Sequence, residues 1–144
     1  MISILSIGSN KMFKPQELEY LARINRFIRA EVVEIKEDKS QREEEVIRKE
    51  GMALLAKIKD KKFFALDPKG ITLSTESFAQ LIRGRNDLIF VIGGANGLSE
   101  DVKKRAEKII SLSAMTFTHE IARVLILEQI YRALTIQKGM KYHK

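Results

Sequence analysis

The chain has 144 residues, with 26 Lys and Arg against 19 Asp and Glu, and no cysteine. That length suits one domain, residues 1–144, built round a single core, and the missing thiols exclude disulfides and thiolate metal sites. With His119 and His143 as the only imidazoles, there is no basis for a multi-histidine metal site, and the net charge of +7 favours a polyanionic partner such as nucleic acid. No apolar run approaches the roughly 18 residues of a membrane span. The opening MISILSIGSNK lacks a basic region before its apolar stretch, so it reads as a strand rather than a signal peptide. Together these features fit a cytoplasmic protein with no membrane partner.

Taken in chain order, the pattern alternates. Ile2 to Ile7 is a β-branched run ending at Gly8. Pro15 opens a helix with Leu18, Leu21, Ile24 and Ile28 at helical spacing. Val32, Val33 and Ile35 form a second strand. Ser40-Gln41-Arg42-Glu43 has the form of a capping box for a helix carrying Val46, Ile47, Leu54, Leu55 and Ile58. Phe63 to Leu66 is a third strand, stopped by the turn signal Asp67-Pro68-Lys69-Gly70.

Ser74 caps a short helix with Phe78, Leu81 and Ile82 on one side. Leu88 to Ile92 is apolar throughout, as expected for a central parallel strand covered on both faces. Ser99 caps the next helix, and Ala114 to Phe117 is a candidate final strand. Thr118 caps a long helix running to about Lys138 and closed by Gly139. The alternation predicts an α/β fold with a mostly parallel sheet and helices on both faces. The last helix is apolar nearly all round. It therefore needs cover on two sides, one from the sheet and the other from a second copy of the chain in a homodimer.

Ligands of open α/β sheets bind beyond the carboxyl ends of the strands. Three segments end strands there: Leu66 to Gly70, Gly93 to Gly97, and Leu112 to Phe117. The glycine segment does not match G-x-G-x-x-G and lacks the Lys-Ser/Thr of a phosphate-binding loop. From spacing alone it is either a tight strand-to-helix turn or a ligand loop. Met115 reads as a core filler and His119 as a structural group bonding to a neighbouring loop. Arg123 lies on the polar stripe of its helix, where it could meet an RNA phosphate or a carboxylate. The segment Gly139 to Lys144 reads as a solvated end. Its aromatic, imidazole and lysines are also what an RNA-touching arm would use. No G-x-S-x-G elbow and no thiol nucleophile are present.

Several motifs occur in order at fitting spacings: Phe90-Val91-Ile92-Gly93-Gly94-Ala95-Asn96-Gly97-Leu98, Leu112 to His119, Arg123-Val124-Leu125, Glu128 to Ala133, and Tyr142-His143-Lys144. On these the whole chain resembles the ribosomal large-subunit methyltransferase H family of the SPOUT class. The resemblance implies a C-terminal trefoil knot, an obligate homodimer and methylation of N3 of a pseudouridine in large-subunit rRNA. The methyl donor it implies is S-adenosylmethionine. By the same resemblance Leu66, Gly93, Leu112, Ser113, Ala114, Met115, Thr116 and Phe117 would line the donor site. His143 would assist proton loss or position the base, with Tyr142 and Arg123 orienting RNA. The substrate expected from so small a subunit is rRNA within the assembled ribosome. The chain departs from the family at Thr118, where proline is frequent, and over Val32 to Ser40, which is shorter than usual. Action on another RNA such as tRNA, or ribosome binding without catalysis, are the competing readings.

Overall fold

In the computed structural model, which describes residues 1–144, the alternation becomes one sheet of five parallel strands. The elements are β1 (Ile2–Ile7), α1 (Lys14–Ile24), β2 (Ala30–Ile35), α2 (Glu43–Ile58) and β3 (Phe64–Thr72). They continue with α3 (Thr75–Ile82), β4 (Leu88–Ile92), α4 (Glu100–Arg105), β5 (Lys108–Ser111) and α5 (His119–Gln137). The strand order is β2-β1-β4-β3-β5, so the apolar run Leu88–Ile92 is central. Its registers are Ile4 beside Phe90 on one side and Phe64 beside Phe90 on the other.

Strand periodicity divides the core in two. Ile2, Ile4, Phe64, Leu88, Phe90 and Ile92 point to the face covered by α1, α3 and α5, where Ile24, Phe78, Ile82, Ile126, Leu127 and Ile130 meet them. Leu5, Ile7, Ala65 and Val91 point to the other face and pack on Leu54 and Ile58 of α2 and Val102 of α4. The Phe64, Phe78 and Phe90 rings stack at tilted angles with centroids 5.5 and 5.9 Å apart. Both faces being covered explains why β4 carries no polar side chain.

Three caps fall where the sequence puts them. Ser74 accepts from Ser77 N, Ser99 from Val102 N, and Thr118 from Ile121 N. The capping box does not form. Arg42 is the N-cap of α2 and makes no side-chain bond, because Ser40 Oγ is taken by Lys49 Nζ at 3.0 Å and Ser40 N by Asp38 Oδ1 at 2.9 Å.

Two further expectations are corrected. The turn signal at Asp67 to Gly70 does not end β3. The strand bulges there and resumes, so that Leu66 and Ile71 both register with Ile110. Asp67 Oδ1 accepts Lys69 N within the bulge. Ala114 to Phe117 is not a strand. The last strand is Lys108–Ser111, and the next residues form the link to α5, with Met115 exposed rather than filling the core.

Candidate functional site: a cleft at the carboxyl ends of the central strands

Because the strands are parallel, the links that follow β3, β4 and β5 gather at one edge of the sheet. They enclose a cleft of about 610 Å³, a size normal for a small cofactor. Its walls are Leu66, Asp67 and Pro68 from the β3 bulge, Ile92 to Ala95 with Gly97 and Leu98 from the glycine turn, and Leu112, Ser113 and Met115 to Thr118 from the last link. His119, Glu120 and Ala122 at the start of α5 complete it. Seven of the eight donor-site residues expected from the resemblance are thus brought together. Only Ala114 does not line the cleft.

The glycine turn is tight. Gly97 N donates to Gly94 O at 3.0 Å, and a Cβ on Gly93 would stand 2.8 Å from the Gly97 carbonyl carbon. Glycine at 93 is required by that approach of backbone to backbone. Gly97 itself has φ +84°.

The electrostatics of the cleft oppose those of the whole molecule. In a chain of net charge +7, none of the lining residues is Lys or Arg, whereas Asp67 and Glu120 both are acids. Asp67 Oδ2 pairs with Lys103 at 3.3 Å, and Glu120 accepts Met12 N at 3.2 Å. Behind the wall sits Glu50, 5% exposed. Its Oε2 accepts Asp38 N at 3.0 Å, its Oε1 has no partner, and burial is the main cause that pushes its carboxyl above the usual range. With Asp67 balanced by Lys103 and Glu120 left without an ion-pair partner, a mostly apolar cleft lined by no Lys or Arg tolerates a positively charged ligand and offers a phosphate no lining Lys or Arg to pair with.

His119 behaves as expected of a structural group. Its Nε2 lies 3.1 Å from Ser9 O in the β1–α1 link. Arg123 does not lie on an outward polar stripe. It is fully buried, and its guanidinium is spent on Glu17 (2.7 Å twice), Glu34 (2.9 Å) and Gly8 O (3.2 Å). Of the two partners the sequence allowed, the carboxylate is the one found, and no face of Arg123 is left for RNA. Asn10 joins the network, donating to Glu17 Oε2 at 2.8 Å. Glu17 and Asn10 escape sequence reasoning because a lone acid on a helix reads as solvated. The spacing of His119 and Arg123, one helical turn apart, was the available signal that both serve the β1–α1 link.

The terminal segment is not frayed. Tyr142 packs edge-on against Tyr131, with centroids 4.7 Å apart, under the Arg132 guanidinium, and its hydroxyl meets Glu128 (3.2 Å) and Tyr20 (3.4 Å). Burial, followed by these partners, raises the Tyr142 phenol. His143 lies between Arg132, at 3.2 Å from Nδ1, and Glu76, at 2.8 Å from Nε2. Arginine only donates, so Nδ1 presents its lone pair and Nε2 gives its proton to Glu76. Both nitrogens are occupied, which leaves His143 no free lone pair to receive a proton. Arg132 is thirteen positions beyond His119 on α5, roughly 20 Å at about 1.5 Å of rise per residue. The segment therefore does not reach the cleft of its own chain.

A five-stranded parallel sheet with a cofactor-sized cleft at its carboxyl edge is an architecture shared by many α/β enzymes, and the sequence family decides among them. The family model described as "Predicted SPOUT methyltransferase" matches residues 1–143. Two solved structures share the fold across the whole chain. A crystal structure of an RNA methyltransferase from Bacillus anthracis has a TM-score of 0.57 at 14% identity, each chain covered in full. A methylase family protein from Haemophilus influenzae Rd KW20 has 0.58 at 12%, covering 99% of this chain and 70% of that one.

Among curated relatives, Ribosomal RNA large subunit methyltransferase H from Caldicellulosiruptor saccharolyticus is 41% identical, with both chains covered in full. The protein of the same name from Limosilactobacillus reuteri is 43% identical over 99% of each. The chain belongs to the ribosomal RNA large subunit methyltransferase H family. No helix is long and apolar enough to cross a membrane.

Proposed function

We propose that the chain transfers a methyl group from S-adenosylmethionine to N3 of a pseudouridine in large-subunit rRNA, acting in the cytoplasm as a homodimer on the assembled ribosome. The observation that carries this reading is the charge of the cleft: apolar, rimmed by Asp67 and Glu120, and free of Lys and Arg in a basic protein. Such a site favours a sulfonium over a nucleotide phosphate, and its position at the carboxyl ends of β3, β4 and β5 is where open sheets take ligands. Leu66, Gly93, Leu112, Ser113, Met115, Thr116 and Phe117 would hold the donor against backbone of the three links, with Ala114 shaping the last of them. When bound, the donor supplies an activated methyl with an excellent leaving group. The protein's own share is alignment of two atoms and removal of one proton.

The dimer reading is supported by apolar side chains left without full cover. Met115 and Phe117 are exposed, and Ile121, Val124 and Leu125 on α5 are only half-buried. A twofold interface over this surface would bring the terminal segment of one subunit to the cleft of the other. There Tyr142 and His143 would orient RNA, while Arg123 holds the β1–α1 link rather than the substrate. The return of the chain from edge strand β5 to α5, which packs on α1 and α3, is the path on which a trefoil knot would be threaded.

The test is radiolabelled methyl transfer from S-adenosylmethionine to ribosomes from a strain lacking this activity, followed by digestion of the RNA to nucleosides. Label in N3-methylpseudouridine of large-subunit RNA, dependent on prior pseudouridylation, is the expected result. Label in tRNA alone, or none from a folded protein that binds the donor, would overturn it.

A further inference from the structure

Removal of the imide proton needs an acceptor at the cleft, and the engaged ring of His143 does not offer one. We propose that His119 is that base, taking the N3 proton of the target ring on Nδ1. This rests on the reading of the cleft as a ring-nitrogen methylation site.

The argument is one of tautomers. The backbone carbonyl of Ser9 can only accept, so the His119 nitrogen 3.1 Å from it, Nε2, carries the ring's hydrogen. The neutral ring then has its lone pair on Nδ1, and no residue of the chain bonds to that atom. Other cleft side chains are engaged in part, and the one carboxylate oxygen left without a partner, Glu120 Oε1, belongs to a class of group that is ordinarily a weaker base than a neutral imidazole. Asp67 uses one oxygen on Lys69 N and the other on Lys103, and Glu120 uses Oε2 on Met12 N. The Thr118 hydroxyl accepts Ile121 N at the start of α5.

The ring also sits close against the backbone of Gly8. A Cβ on Gly8, whose φ is +86°, would stand 2.9 Å from His119 Nε2 and 2.7 Å from Glu37 Oε1, so ring and carboxylate flank the same glycine. Arg123, one turn along α5, bonds Gly8 O and fixes the link whose next carbonyl, that of Ser9, orients the ring.

The charges that face His119 are compatible with an imidazolium formed in passing. The N-terminus of α5 opposes a positive ring. Glu37 beside Gly8 and Glu50 behind Gly94 favour it. Glu120 on the adjoining position adds a further acid, while the Arg123 cation is neutralised by Glu17 and Glu34. In the step, the N3–H bond breaks and its proton goes to Nδ1. The pair left on nitrogen forms the new bond to carbon as the sulfonium sulfur recovers the pair of the bond that breaks. The ring returns its proton to solvent after product leaves.

The experiment combines a structural readout with a kinetic one on the full chain. Long-range ¹H–¹⁵N spectra of the ¹⁵N-histidine protein read the tautomer directly, and only two rings contribute. His119→Gln keeps an amide N–H for Ser9 but removes the base. The expected results are an Nε2–H tautomer at His119 and donor affinity by calorimetry within about twofold of wild type. Single-turnover methylation of ribosomes should fall by roughly 100- to 10,000-fold, the usual share of a general base, and the acidic limb of its pH profile should disappear. Imidazole should restore part of the rate of His119→Ala. An Nδ1–H tautomer, an H119Q rate equal to wild type, or a loss of donor affinity that accounts for the lost rate would each overturn the assignment. An active wild type beside an equally active H119Q removes His119 alone. A wild type that binds donor yet methylates no ring nitrogen removes the functional reading as well.

Discussion

Arg123 and Glu17 lie 106 positions apart and meet in a two-pronged ion pair, Nε on Oε2 and Nη2 on Oε1, each at 2.7 Å and both side chains fully buried. Removing one charge of such a pair leaves the other uncompensated in the interior, at a cost of roughly 3–5 kcal/mol. Arg123→Met should therefore lower the free energy of urea unfolding by about that much. The double variant Arg123→Met with Glu17→Leu should recover most of it. Equal losses in the single and the double variant would show that the pair is not the source.

The same pair sets how the fold responds to acid. Burial alone would raise the Glu17 carboxyl, but the Arg123 and Asn10 hydrogen bonds outweigh it and hold the group below its ordinary value of 4.5. A depressed carboxyl contributes stability that is present above the unfolded value and lost as pH falls through the folded one. Thermal midpoints should accordingly drop as pH falls below about 4.5, and Glu17→Gln in the Arg123→Met background should flatten that drop. An unchanged acid slope would count against the ion pair as its origin.

Glu50 has the opposite sign. Its carboxyl is raised by burial, so its favourable contribution is present below the unfolded value and is lost as pH rises through the folded one. Glu50→Gln removes the charge and keeps an oxygen for Asp38 N. Its thermal midpoint relative to wild type should improve as pH rises above about 4.5 and level off once the wild-type carboxyl is ionised in the folded chain, a gain of a few degrees. A pH-independent difference would mean that the Glu50 carboxyl is not raised in the folded chain.

Two glycines of the turn should fail differently. Gly93→Ala drives a Cβ to 2.8 Å from the Gly97 backbone, so the turn must open and donor binding should weaken at least tenfold, about 1.4 kcal/mol. Gly97→Ala meets no atom within 4 Å, and its positive φ costs only about 1–2 kcal/mol. It should lower stability while keeping donor affinity nearer to wild type. Calorimetric titration of both variants with S-adenosylmethionine separates these outcomes, and equal affinities would contradict the geometry.

Arg132 holds the terminal segment through Glu128, His143 and the Tyr142 ring. Arg132→Met should expose residues 139–144 to carboxypeptidase much faster than in wild type. It should weaken ribosome-dependent methylation through KM and leave donor affinity untouched. A segment digested equally fast in both proteins would mean that the clasp does not hold in solution.

The sequence alone determined the alternation of elements, the central place of Leu88–Ile92, the three hydroxyl caps and the grouping of the cleft segments. Each is a local property: hydrophobic period, a hydroxyl ahead of a helix, glycines after a strand. What it could not supply were facts set by partners distant in the chain. Ser40 looks like a cap until Lys49 and Asp38 claim it. Asp67 to Gly70 looks like the end of a strand until β5 pairs on both sides of the bulge. Arg123 looks outward until α1 brings Glu17 beneath it. The tautomers of His119 and His143 likewise depend on a carbonyl 110 residues away and an arginine eleven away. Local patterns are fixed by covalent neighbours, whereas burial, pairing and proton placement belong to whichever groups folding brings within bonding distance.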